Sequence, residues 1–225
     1  FSDSVVVRLA EREVAVSVSL DTLERERYRR IRGADQLEQV LAGLQRLQRY
    51  PWPKFIACIV SNENRHDVEA VCRFARTHGF APIVGAYHWE IGRYGKADPT
   101  LTYAREQAAV TFEALLKRGV LPPGVYTDYA ESNIRWLRGH KLPRCDAARH
   151  SVAIDASGNV AACLAQPSAG NLRERSLREI LAAMDREAIE ACSESSSCNL
   201  LCGRVVGSAL RDPGSSVRTP LRPAD

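Results

Sequence analysis

Residues 13 to 21, EVAVSVSLD, run apolar and end polar, the pattern of a buried strand. The stretch DQLEQVLAGLQRL then sets Leu37, Val40, Leu41, Leu44 and Leu47 at helical spacing, with Asp35 and Glu38 in a capping-box arrangement. KFIACIV predicts a second strand. NRHDVEAVCRFARTHGF predicts a helix capped by Asn64, with Val68, Val71, Cys72 and Ala75 facing inward and Gly79 ending it. APIVGAYHWEIGR reads as a third strand entering a glycine-containing loop, and TYAREQAAVTFEALLKRG as a third helix. Strand and helix alternate three times, and the strands are continuously apolar. The pattern predicts an α/β fold with a parallel sheet buried on both faces. Right-handed crossovers bring every strand's C-terminal end to one edge, where α/β sheets and barrels place their chemistry. Three units alone leave a thin sheet with an exposed edge strand.

From residue 120 the texture changes. LPPGVYTD predicts a loop and a boundary, giving a first unit over 1–125 and a cysteine-bearing unit over 126–210. The second unit carries a hairpin, SVAID and NVAAC around Gly158, then a single helix over SLREILAAMDREAIEAC, then SESSSCNLLC. The tail 211–225 is rich in Pro, Ser and Arg and is expected to be disordered.

The chain of 225 residues is long enough to bury one large core or two small ones. A net charge of +4, spread over arginines without an aromatic-interleaved stripe, does not indicate a nucleic-acid partner. No stretch approaches the roughly 18 apolar residues of a membrane helix, and no signal peptide is visible; neither membrane nor export is expected, and the expected compartment is the cytoplasm. The chain opens on Phe1 and its one methionine is Met184, so it reads as an excerpt of a longer protein.

Seven cysteines occur, and five of them, Cys145, Cys163, Cys192, Cys198 and Cys202, lie in the cysteine-bearing unit. Cys58, in a strand, and Cys72, on a helix's inner face, read as small buried hydrophobes. The distal five sit among loops and serines that offer little core. In a reducing compartment, such clustering points to metal ligation before disulfides. Thiolate-only ligation suits zinc or an iron–sulfur cluster. The paired C-x2-C knuckles of structural zinc ribbons are absent, which favours iron–sulfur and keeps zinc as the alternative.

The spacing C-x12-G-x4-C, then GNLRERSLREIL, then C-x5-C-x3-C resembles the SPASM/twitch auxiliary-cluster domain of radical S-adenosylmethionine (SAM) enzymes. VSVSLDTLERERYRRIRG resembles the fourth strand and following helix of the radical SAM partial (β/α)6 barrel, with a close similarity there to the molybdenum-cofactor cyclase branch. The resemblance spans roughly residues 5 to 210. It implies the C-terminal half of a partial TIM-type barrel with a small cysteine-rich domain appended. The family's C-x3-C-x2-C loop, whose 4Fe–4S cluster cleaves SAM, is absent from these residues, and an upstream origin for it is the simpler expectation. A full SPASM domain has a further cysteine where Ile189 stands and another beyond Cys202. Five thiols fit one auxiliary 4Fe–4S cluster better than two. Cys145, Cys163 and Cys202 are then the firmest ligands, with Cys192 or Cys198 as the fourth.

The resemblance also implies cofactor contacts. Ser19, at the end of its strand, would hydrogen-bond the methionyl part of SAM, unless Ser19 or Asp21 instead caps the next helix. Asn64 matches a family loop position as well as a helix cap. Arg93, near Glu90 where the third strand leaves the sheet, would pair a carboxylate or stay solvated. Of the histidines, His88 and His150 show no metal-binding spacing. The implied activity is reduction of SAM to a 5′-deoxyadenosyl radical that abstracts hydrogen from a peptide or small-molecule substrate. An electron donor such as flavodoxin or ferredoxin is expected, and the auxiliary cluster accepts an electron or positions substrate. The alternative is a non-catalytic iron–sulfur or zinc module that recognises a peptide.

Overall fold

A computed structural model describes residues 1–88 and 98–201. Glu90, Arg93, Cys202 and the tail 211–225 lie outside the described residues.

Helix α1 (Asp3–Glu11) leads into β1 (Val16–Ser19), then α2 (Arg25–Arg32) and α3 (Leu37–Leu47), β2 (Lys54–Val60), α4 (Val68–Thr77) and β3 (Ala81–Ala86). The three strands form one sheet in the order β1-β2-β3, with both pairings parallel. Helix α5 (Arg105–Lys117) follows, closed at Gly119. The strand–helix alternation therefore folds as the periodicity predicts. Burial is one-sided, however. Along β2, Ile56, Cys58 and Val60 are fully buried, while Phe55 and Ala57 are half-buried and Ile59 is 41% exposed. Ser17 and Ser19 on β1 are exposed as well. Continuous apolar sequence marks the face under α4 correctly but hides that the opposite face stays partly open.

Two helix starts differ from the reading of caps. Asp35 does not cap α3; it takes a bidentate bond from Arg25 (2.6 Å to Nη2, 2.9 Å to Nε), and Gln36 stands at the cap without a side-chain bond. Asn64 does not cap α4 either, because Asp67 occupies that position.

Helix α6 (Val125–Leu137) fills what the prolines of LPPGVYTD suggest is loop. Val125, Tyr129, Ala130, Asn133, Trp136 and Leu137 are buried at helical spacing. The helix packs on α5 and β3, and the first unit's core extends through Trp136, Leu137 and Leu142. That core therefore takes in residues on both sides of position 125.

The second unit holds a three-stranded antiparallel sheet, β4 (Ala153–Ile154), β5 (Asn159–Ala161) and β6 (Ser168–Asn171), one strand more than the hairpin predicted. Gly158 turns the hairpin at φ 88°, in the left-handed region where glycine is unstrained. Asp155 fastens the turn by accepting the Ser157 and Asn159 N–H groups at 2.9 and 3.0 Å. The predicted single helix is two, α7 (Leu177–Ala182) and α8 (Arg186–Ser195). Asp185 interrupts it by accepting the Ala188 N–H at 2.9 Å and starting α8 afresh. Ser176 and Glu179 form a reciprocal capping box on α7. The fully packed apolar core here is small: Val160, Ala162, Ile180 and Met184. Among the described residues, no helix is long and apolar enough to cross a membrane.

Candidate iron–sulfur site

The C-terminal edge of the parallel sheet carries an exposed serine and a buried bracket. Ser19 ends β1, pairs with Ala57 and is exposed. It caps no helix. Glu24 caps α2, accepting the Glu26 and Arg27 N–H groups at 2.9 and 2.8 Å. Asn64 is fully buried and its amide is consumed internally. Nδ2 donates to the carbonyls of Asp21 and Ile59, each at 2.9 Å, and Oδ1 accepts the Ser61 N–H at 2.8 Å. The side chain ties the end of β1 to the end of β2.

Asp21, 4% exposed, extends the same bracket. Its carboxylate accepts the Ile59 N–H at 2.8 Å and pairs with Arg32 at 2.5 Å. Burial raises its pKa, with Arg32 and the Ile59 N–H pulling the other way. An acid whose folded pKa exceeds its unfolded one binds its proton more tightly when folded. The cost of its charge is present above the folded pKa and relieved as pH falls through it. Asp21→Asn removes this titration. The stability of the natural chain relative to Asp21→Asn should therefore rise as pH falls through that range, read from denaturant midpoints. A difference that is flat or falls toward acid contradicts this.

Cys58 and Cys72 are fully buried, and burial raises both thiols, Cys72 to about 12. They are core residues. Cys58→Ala should cost about 1–2 kcal/mol of packing and leave bound iron unchanged; loss of iron would overturn that assignment.

The distal cysteines behave differently. Cys145, Cys163, Cys192 and Cys198 are all half-buried. Cys145 is held by its N–H, which donates to the Ser193 carbonyl at 3.2 Å. Arg144 and Arg149 flank it and both reach Glu190 of α8, Arg149 at 3.8 Å. Cys163 leaves β5, and its sulfur accepts the Ala165 N–H at 3.3 Å. Cys192 rides on α8, which ends at Ser196 in the left-handed region, φ 52°. That turn throws the chain toward Cys198, whose sulfur accepts the Leu200 N–H. Burial raises Cys163, and Cys145 and Cys192 push it further up. Cys198 is pushed up to about 11, first by burial, then by Cys145, Cys163 and Cys192. Thiols that repel one another's charge occupy one locality. Four of the five sequence-predicted ligands are thus brought together from a loop, a strand end and a helix.

The donor set is all sulfur, partly sheltered, with N–H···S bonds to two of its members. This chemistry fits an iron–sulfur cluster, which thiolates hold and hydrogen bonds tune. Residues 145–203 match the SPASM family model, described as an iron-sulfur cluster-binding domain. The match takes in all five distal cysteines and covers about a quarter of the chain. The chain also superimposes on a solved structure of a histidine-tagged protein described as "anSMEcpe with bound AdoMet", with a TM-score of 0.59 and 16% identity, over 86% of this chain. The chain spans 54% of that structure's length, and the likeness is one of fold. No curated protein matches the chain significantly. The resemblance to a SPASM-type auxiliary-cluster domain read from the cysteine spacing accordingly holds over residues 145–203.

Sequence reasoning passed over the residues that hang the SPASM domain on the first unit, namely Tyr129, Ser132, Asn133 and Asn199. The buried spacing of α6 was the available signal. At the same seam, His88 packs on Trp136 with ring centres 4.3 Å apart, and the Arg105 guanidinium lies 4.7 Å over that indole. His150 is exposed in the SPASM domain.

Proposed function

We propose that this chain is the C-terminal part of a radical SAM enzyme and holds one auxiliary 4Fe–4S cluster beside the open face of a partial barrel. The observation that carries the reading is the convergence of Cys145, Cys163, Cys192 and Cys198 in a SPASM domain appended to a parallel α/β sheet. Among the described residues, no three His, Cys, Asp or Glu side chains are gathered tightly enough to hold a single metal ion. The match of this segment to an iron-sulfur cluster-binding family supports the cluster over zinc. Cys202, the fifth thiol, extends the ligand set or replaces one of the four.

In a longer protein carrying the upstream cluster loop, SAM and a second 4Fe–4S cluster would supply radical chemistry for modification of a peptide or small-molecule substrate. The residues of this chain bind and orient. Ser19 offers an exposed hydroxyl at the strand edge for the cofactor. Asp21 and Asn64 hold that edge rigid from behind.

Anaerobic reconstitution of the chain followed by iron, sulfide and zinc analysis tests the reading. About four irons and four sulfides per chain are expected; one zinc without sulfide overturns it. With the upstream coding sequence restored, reductant and SAM should yield 5′-deoxyadenosine. Cluster uptake without that product would favour the non-catalytic binding module.

A further inference from the structure

Three polar side chains of α6 converge on one residue of the cluster loop. Asn199, adjacent to Cys198, is fully buried. The Tyr129 hydroxyl donates to the Asn199 carbonyl at 2.8 Å, and Ser132 Oγ bonds Asn199 Oδ1 at 3.1 Å. Asn199 Nδ2 donates to Asn133 Oδ1 at 3.0 Å. Asn133, itself fully buried, returns its Nδ2 to the Tyr129 carbonyl at 3.0 Å. Among the described residues, these bonds link only neutral groups. Beyond it, Ser196 Oγ accepts the Leu142 N–H at 2.9 Å.

The other side of Tyr129 faces the sheet. A Cβ added to Gly85 of β3 would stand 3.5 Å from the Tyr129 hydroxyl and 3.2 Å from Ile59 Cδ1. One phenol therefore touches both the partly open sheet face and the backbone next to a cluster ligand. Loops rich in serine, such as SESSSC, lose much conformational entropy on ordering. Here that ordering is supplied by buried amide bonds in which no metal takes part.

We propose that Tyr129, Ser132, Asn133 and Asn199 form a clasp that seats the Cys198 loop before any cluster binds. They are positioning residues, and they set where the auxiliary cluster stands relative to the sheet's C-terminal edge. The cluster half of this inference rests on the proposed function; the seating half does not. A ligand loop already in place pays no ordering cost when iron arrives, so the clasp slows cluster loss as well as local opening.

The test has two arms. In the metal-free chain, amide hydrogen exchange across residues 193–201 should be slow and should quicken on the order of tenfold in Asn199→Ala, the equivalent of about one buried hydrogen bond. Fast exchange in the unsubstituted chain overturns the proposal whether or not the protein takes up iron. In the reconstituted chain, Asn199→Ala should release iron to a chelator on the order of tenfold faster and shift the paramagnetic resonance of the reduced cluster. Tyr129→Phe, which keeps the packing, should move both readouts in the same direction by less. Ile56→Val, a core change remote from the clasp, should leave both unmoved. Unaltered release and spectrum in both clasp variants, or an equal change in Ile56→Val, overturns it. A chain that takes up no iron refutes the proposed function, and the exchange arm then decides the clasp.

Discussion

Cys163→Ala is expected to strip the auxiliary cluster and unfold much of the SPASM domain while the first unit stays folded. The strands of this domain are two to four residues long, and its fully packed core comprises Val160, Ala162, Ile180 and Met184. Three large apolar side chains and an alanine are too few to offset the entropy of ordering the domain's backbone unaided. Metal ligation contributes on a larger scale, roughly 10–16 kcal/mol for structural zinc sites, and is coupled to folding in the same way. Cys163 is the best-integrated ligand, since it leaves the central strand β5 and its sulfur takes the Ala165 N–H. Iron and sulfide analysis should read near zero in the variant. Limited proteolysis should cut between about residues 145 and 198 and leave a resistant fragment ending past α6. Native iron content with native proteolytic resistance would sink this expectation.

The chain's legibility followed the strength of its local signals. Periodicity located β1, β2, β3, α3, α4 and α5 because each buries an apolar stripe against one contiguous core. The distal cysteines stood out because their spacing is that of a ligand set, and the segment that carries them matches an iron-sulfur cluster-binding family. What was missed depends on partners distant in sequence. The two prolines before Gly124 resemble a linker, yet α6 begins immediately after them and docks on α5 and β3. Asn133 and Asn199 pair across 66 positions, and no local pattern distinguishes them from surface asparagines. Asp35 satisfies the sequence rule for a cap, but Arg25 offers it a bidentate partner instead. The open face of the sheet was invisible for a related reason. Alanine and isoleucine at positions 57 and 59 read as buried whether a neighbour covers them or not.

The second large expected effect concerns Asn64. Its identity in the sequence suggests a cap or a ligand contact, and either would make Asn64→Ala mild. The structure places it at the centre of the strand-end bracket, fully buried, serving the Asp21 carbonyl, the Ile59 carbonyl and the Ser61 N–H together. Truncation leaves three buried backbone groups without that partner, and each unsatisfied group costs roughly 1–3 kcal/mol. Water entering the vacated space offsets part of this, so the net loss should be about 3–4 kcal/mol, a large share of a typical domain's stability. Asn64→Asp should be at least as damaging. It keeps the acceptor for Ser61 but turns a charged oxygen toward two carbonyls that need a donor. Because Asp21 pairs with Arg32 and takes the Ile59 N–H in the same bracket, the loss should couple to Asp21→Asn instead of adding to it. Urea titration of the two single variants and the double variant measures both quantities. A loss under about 1 kcal/mol at unchanged slope, or strict additivity with Asp21→Asn, would show that the β1–β2 edge is held by its ladder alone.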